Sequence, residues 1–153
     1  MELKSILYPV SIRSSGTSGE PKEFMQPISK IVAANKVARE VQGITKNSKI
    51  YTVMRLTHAG GLFGQTLPAL EVEAHVYYEE FSPYEWVRKI EKFTHSHLTP
   101  KQAKAVMKTK GFRDLDLTNI IITCGGEPVT WDIIEAFVYR GADLIANWGM
   151  SEI

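Results

Sequence analysis

A single cysteine, Cys124, in 153 residues excludes an internal disulfide framework and fits a reducing, cytoplasmic setting. No apolar run approaches the length of a membrane span, and Met1-Glu2-Leu3-Lys4 leads into none, so neither a signal peptide nor a transmembrane segment is expected. An excess of one charge is missing too. With 18 basic against 17 acidic residues the net charge is +1, which gives no electrostatic reason to expect nucleic acid or an anionic membrane as a partner. Repeats and low-complexity tracts are absent. So are several signatures of chemistry: no G-x-x-x-x-G-K-[ST] phosphate loop, no G-x-G-x-x-G after a strand, no Ser-His-Asp order for hydrolysis and no paired carboxylates for glycoside cleavage.

What remains is 44% hydrophobic and 23% charged, the make-up of one ordinary globular domain with enough chain to bury a core. Its pattern alternates strand and helix. Tyr8 to Arg13 and Lys22 to Gln26 read as two short strands. After Pro27, Ser29 is placed to cap a helix to about Gln42, with Ile31, Ala34, Ala38 and Val41 as its apolar stripe and Gly43 as its stop. Lys49 to Leu56 reads as a strand, Gly61 to Leu70 as a helix, and Ala74 to Tyr78 as a strand. Ser82-Pro83-Tyr84-Glu85 and Thr99-Pro100-Lys101-Gln102 each combine a cap, a proline at the first helical position and an N3 Glu or Gln, so each starts a helix. Asn119 to Thr123 is an apolar strand, Thr130 opens a helix with Ile133, Ile134, Phe137 and Val138 inward, and Asp143 to Asn147 is the last strand. The class is α/β: a mostly parallel sheet flanked by helices. In such sheets ligands sit beyond the carboxyl ends of the strands. His58, Gly125-Gly126 and Trp148 to Glu152 each follow a strand and so share one edge.

Ser14-Ser15-Gly16-Thr17-Ser18-Gly19-Glu20-Pro21-Lys22 packs four hydroxyl residues, two glycines and a lysine into nine positions. Turned-in backbone N–H groups, rotatable hydroxyls and a mobile ammonium make such a run a cradle for phosphate; its plain alternative is a Ser/Gly turn between two strands. His95-Ser96-His97 could bring two imidazoles to one side of a strand, as a metal site needs, but no nearby Cys or carboxylate completes a ligand set and a surface or packing role is the simpler reading. Lys101, Lys104, Lys108 and Lys110 read as a solvated face, and Cys124, after an apolar strand, as buried and inert.

Ser14 to Lys22 resembles the phosphate loop of the adenylate-forming enzymes: acyl- and aryl-CoA synthetases, luciferases and peptide-synthetase adenylation domains. Thr123-Cys124-Gly125-Gly126-Glu127-Pro128 resembles that family's Gly-Gly segment beside adenine. Asn147-Trp148-Gly149-Met150-Ser151-Glu152 is similar to its aromatic-Gly-x-Thr-Glu motif, with Trp where Tyr is usual. Leu56-Thr57-His58-Ala59-Gly60-Gly61 looks like the His segment near the carboxylate substrate. The four occur in the family's order, from Ser11 to Glu152.

The resemblance implies one subdomain of the family's large N-terminal domain, with the phosphate loop at 14–22 and an α/β portion over about 27–153. It implies ATP-dependent activation of a small carboxylic acid as its acyl-adenylate, followed by transfer to a thiol such as coenzyme A. Ser14, Ser15, Gly16, Thr17, Ser18, Gly19 and Lys22 would hold the leaving phosphates and Ser151 the α-phosphate. Glu152 would hold Mg2+; its plain alternative is a solvated terminal carboxylate. Gly125, Gly126, Glu127, Asn147, Trp148 and Gly149 would frame the adenine, although an aromatic at a strand end could equally be core. His58, Gly125 and Gly149 would meet the acid, with His58 otherwise a turn residue. The family's ribose-binding Asp, its hinge and the C-terminal domain with the catalytic lysine have no counterpart here. The chain therefore reads as a central portion, and a non-catalytic remnant or one piece of a split ligase that needs a partner polypeptide is the alternative.

Overall fold

The computed structural model describes residues 10–13, 20 and 22–149. Within them the chain runs β1 (Val10–Arg13), β2 (Glu23–Gln26), α1 (Ile28–Gln42), β3 (Lys49–Thr52), a composite helix α2 over 59–71, β4 (His75–Tyr78), α3 (Pro83–Lys89), β5 (His95–Leu98), α4 (Pro100–Met107), β6 (Ile121–Gly125), α5 (Trp131–Tyr139) and β7 (Asp143–Asn147). β1 and β2 pair antiparallel as a separate hairpin. The other five strands form one parallel sheet in the order β4-β3-β5-β6-β7.

That order contains a switch point. The chain leaves β3 through α2 to reach β4 on one side, then crosses back through α3 to β5 on the other. Crevices for ligands form at such a point, beyond the carboxyl ends of the two strands. The helices sort by face. α1 and α2 pack on each other and cover one face of β3 and β5, while α3, α4 and α5 line up along the other.

The second face holds the main core, where Trp86, Ile90, Ala103, Val106, Ile133 and Phe137 bury Tyr51, Leu98, Ile122 and Cys124. Trp86 is fully buried, and its indole N–H donates to Ser96 Oγ at 3.0 Å, which in turn donates to the Tyr51 carbonyl at 2.9 Å. On the first face Ile12 of the hairpin packs with Ile31, Leu62 and Leu67, which anchors the hairpin on α1 and α2. Burial of this kind is worth about 1.5–3 kcal/mol per large apolar side chain, which is the scale of Ile12's contribution to holding the hairpin.

Two of the local signals start helices where expected. Ser82 Oγ accepts from Glu85 N–H at 3.4 Å, and Thr99 and Gln102 form a complete capping box at 3.1 and 2.9 Å. Gly43 ends α1 at φ 61, the left-handed conformation glycine adopts at low cost.

Four expectations need correction. First, the cap position of α1 is Pro27, not Ser29, which already lies inside the helix. Second, its buried face is Ile31, Asn35 and Gln42, while Ala34 and Val41 are exposed. Asn35 Nδ2 donates to Glu71 at 2.6 Å and Gln42 Nε2 to the Gly64 carbonyl at 2.7 Å, so polar partners on α2 pull polar residues inward. Third, β3 stops at Thr52 instead of Leu56. Fourth, Val138 on α5 is exposed. His95–Leu98, where two imidazoles on one side of a strand with a surface or packing role were expected, is the central strand β5 and is buried along its whole length, which leaves the packing role and removes the surface one. Parallel pairing on both sides satisfies its backbone.

Candidate functional site

β6 and β7 run side by side with Gly125 opposite Asn147. A Cβ on Gly125 would lie 2.4 Å from the Asn147 carbonyl oxygen, so only glycine permits this approach. Gly126 follows at φ 91 with no atom within 4 Å of where a Cβ would stand, which leaves an open backbone step beside the strand. Trp148 is 80% exposed, so it is not part of the core of the described residues. Glu127, Asn147 and Gly149 are also exposed. The tertiary structure thus brings the Gly-Gly segment and the aromatic segment into contact at the carboxyl edge of the sheet.

His58 lies at the same edge, two strands away across β5. It follows β3 and stands just before α2, where its carbonyl accepts from Leu62 N–H at 3.0 Å. α1 runs antiparallel to β3, since Gln42 at its end meets His95 at the start of β5 at 2.8 Å. Its N-terminus, with the hairpin that feeds it, therefore lies at the carboxyl edge as well. Lys22 is an exposed residue at the start of that hairpin's second strand. Ser14, Ser15, Gly16, Thr17, Ser18 and Gly19 lie outside the described residues, as do Ser151 and Glu152.

Burial, with a smaller push from the negative charge of Glu127, drives the Cys124 thiol up to about 12, so it stays protonated and inert as expected. Burial lowers the pKa of His95, against a small opposing effect from its bond to the Gln42 backbone. Burial also lowers His97 to about 4. The Gly60 backbone facing the ring opposes this as the lesser effect. The two imidazoles do share one side of a strand, yet among the described residues no cluster of three His, Cys, Asp or Glu could hold a metal ion. No helix of the described residues is long and apolar enough to cross a membrane. A groove of about 520 Å³ beside α3 and the end of α4, lined by Tyr84, Val87, Lys108 and Lys110 among others, is formed by none of the motif residues.

Sequence reasoning weighed His97 only as half of a two-imidazole pair and missed Gln65. Both are buried, on β5 and α2, one step in from this edge. The His-Ser-His alternation was the available signal for a strand, but nothing local marked it as central.

A family model described as AMP-binding enzyme matches residues 11–153. The indoleacetate–CoA ligase of Aromatoleum aromaticum is 27% identical over 146 residues, covering 91% of this chain and 28% of the ligase. Among solved structures, ATP-bound MatB from Rhodopseudomonas palustris superposes with a TM-score of 0.74 at 15% identity, over 84% of this chain and 26% of MatB. The anthranilate CoA ligase AuaEII in complex with anthranoyl-AMP gives 0.77 at 19% identity, over 88% of this chain and 27% of its own length. The chain spans little more than a quarter of each of these three proteins.

Proposed function

The chain belongs to the family of AMP-binding enzymes, and from that membership we propose that it supplies the nucleotide- and acid-binding core of an enzyme that activates a carboxylic acid with ATP. The substrate carboxylate attacks the α-phosphorus, pyrophosphate leaves, and the acyl-adenylate is passed to a thiol, coenzyme A being the acceptor named by the ligase relative. The observation that carries this reading is the contact of Gly125 with Asn147, which sets a side-chain-free step and an exposed indole together at the carboxyl edge.

In that arrangement the adenine lies along Gly125 and Gly126 with Trp148 as its stacking face, since an aromatic plane accepts any base. Glu127, Asn147 and Gly149 border it. His58, Gly125 and Gly149 meet the acid. Ser14 to Gly19 and Lys22 hold the leaving phosphates, and Ser151 the α-phosphate. Glu152 would hold Mg2+, whose charge offsets that of the phosphates; a carboxylate oxygen suits this hard cation. The protein's share of the work is to bring two anions into line and neutralise the charge that develops. Cys124, buried and protonated, takes no part, and the reaction belongs in the cytoplasm.

The test is acid-dependent exchange of labelled pyrophosphate into ATP, alongside calorimetric titration with ATP–Mg2+ and a non-hydrolysable acyl-adenylate mimic. Binding of the mimic is expected. Absence of binding by both ligands would remove the reading.

A second reading, in which the chain acts only with a partner polypeptide, draws on α1. Ile28 and Val32 on one side of the helix and Val37 and Val41 on the other are 51%, 49%, 58% and 61% exposed, apolar surface that flanking polypeptide would cover. Pyrophosphate exchange that arises only after adding flanking polypeptide supports it.

A further inference from the structure

The sheet face beneath α2 carries a layer of polar side chains one step in from the carboxyl edge. His97 on β5 lies opposite Thr123 on β6, Thr52 on β3 continues the row, and Gln65 and Thr66 reach it from α2. Part of the layer is satisfied internally. The Thr52 and Thr66 hydroxyls lie 3.0 Å apart, and Thr66 donates to the Gly61 carbonyl at 2.8 Å. Gln65 donates its amide N–H to the Ser96 carbonyl at 3.2 Å, which leaves its Oε1 without a partner. Neither ring nitrogen of His97 nor the hydroxyl of Thr123 makes a well-aligned hydrogen bond, although the Gly60 backbone faces the His97 ring and these residues are only 4% and 2% exposed.

Burial alone does not produce such orphans on this strand. His95, two residues earlier on the same face and 3% exposed, has Nε2 at 2.8 Å from the Gln42 carbonyl and Nδ1 at 2.7 Å from Thr94 Oγ1. A folded protein pairs its buried polar groups, and those left over call for a ligand or water.

The surroundings are built to admit the His97 ring. Gly64 lies in the π-helical segment Leu62–Thr66, and a Cβ there would come within 2.4 Å of His97 Nδ1. Extra-residue turns of this kind recur at functional sites. The cluster also borders open ground. The main sheet contacts of the π-helical segment of α2 fall on β3 and β5, and Ile121 and Ile145 beside Thr123 are only half-buried. One step outward, about 7 Å along the strand, lies Gly125, and Gly60 beside the His97 ring is two residues from His58. Those are the residues that meet the acid in the function proposed above.

We propose that His97, Gln65 and Thr123 form a polar subsite that reads the far end of the acid, so the substrate carries a neutral hydrogen-bonding group there, such as a ring N–H or a hydroxyl. The inference rests on the acid-activating reading. Gln65 Oε1 accepts, neutral His97 offers one donor and one acceptor, and the Thr123 hydroxyl does either. No charged side chain joins the cluster, which selects against an ionised guest.

The experiment titrates the full chain, with ATP–Mg2+ present, with two matched pairs of acids. These are indol-3-ylacetate against 1-benzothiophen-3-ylacetate, and 4-hydroxyphenylacetate against 4-methylphenylacetate. The polar member of at least one pair should bind about tenfold tighter or better, and His97→Leu should bring that ratio near one. In the wild-type chain, 15N resonances of the His97 imidazole should move with the polar acid and stay still with its apolar partner, a readout that needs no variant to fold. Equal affinities within both pairs, or a ratio unchanged in the variant, would overturn the subsite and leave a buried water as its occupant, while acid activation stands. Failure to bind any of the four acids would remove the acid-activating reading, and this inference with it.

Discussion

Acidification from about pH 7 to about pH 5 should destabilise this protein through His97. Its folded pKa is lowered from 6.5 to about 4, because burial penalises the charged ring. In the unfolded chain the imidazole takes up a proton near its ordinary value, so below about 6.5 the unfolded state binds more protons and gains stability. The contribution is complete above about pH 6.5, shrinks as the pH falls and is lost near pH 4. At about 1.4 kcal/mol per unit, the shift removes about 2 kcal/mol by pH 5 and about 3 kcal/mol in full. Glu79 and Glu85, whose carboxyls are held low chiefly by bonds to Lys89, also lose stability in acid, but only below the carboxylate range. The window from pH 7 to 5 therefore belongs to the histidines, with His95 acting in the same direction. Urea unfolding at several pH values is the assay, and a loss of about 2 kcal/mol moves the midpoint by about 1 M. The same series on His97→Leu should be flatter by that amount, whatever its absolute stability. Parallel pH profiles for the two proteins would refute the assignment.

Gly125→Ala should cost about 1–3 kcal/mol in urea unfolding and weaken nucleotide binding, because the new methyl group meets the Asn147 carbonyl and pushes β6 from β7. Lys22→Ala and Glu152→Gln should each weaken calorimetric binding of ATP–Mg2+ roughly tenfold or more, the usual scale of a charged hydrogen bond; unaltered binding in both would remove the phosphate site. Thr99→Ala should cost about 1 kcal/mol by breaking the capping box of α4, whereas Ser29→Ala in α1 should leave the melting temperature nearly unchanged.

Capping signals and alternation were legible in the residues because they act within a few positions. Ser82, Thr99 and Gly43 do their work on neighbouring N–H and C=O groups, so the helices begin or end where local chemistry demands. The candidate site was legible in order and in edge: each motif follows a strand, and parallel strands share one carboxyl end. Neighbourhood was not legible. That Gly125 faces Asn147, with His58 two strands off, depends on the strand order, which is set by where each crossover helix finds apolar surface to bury.

By itself the sequence determined the α/β alternation, the helix boundaries at the strong caps and the presence of the family's motifs. Tertiary structure alone decided the rest. His95–Leu98 is a central strand because neighbours on both sides complete its hydrogen bonds, not because its side chains look apolar. α1 turns Asn35 and Gln42 inward because Glu71 and the Gly64 carbonyl wait there, 36 and 22 residues away in the chain. The same holds for the ring nitrogens of His97. A histidine is left without a well-aligned hydrogen bond only when distant segments close around it without aligning a partner, and periodicity in a sequence carries no record of that.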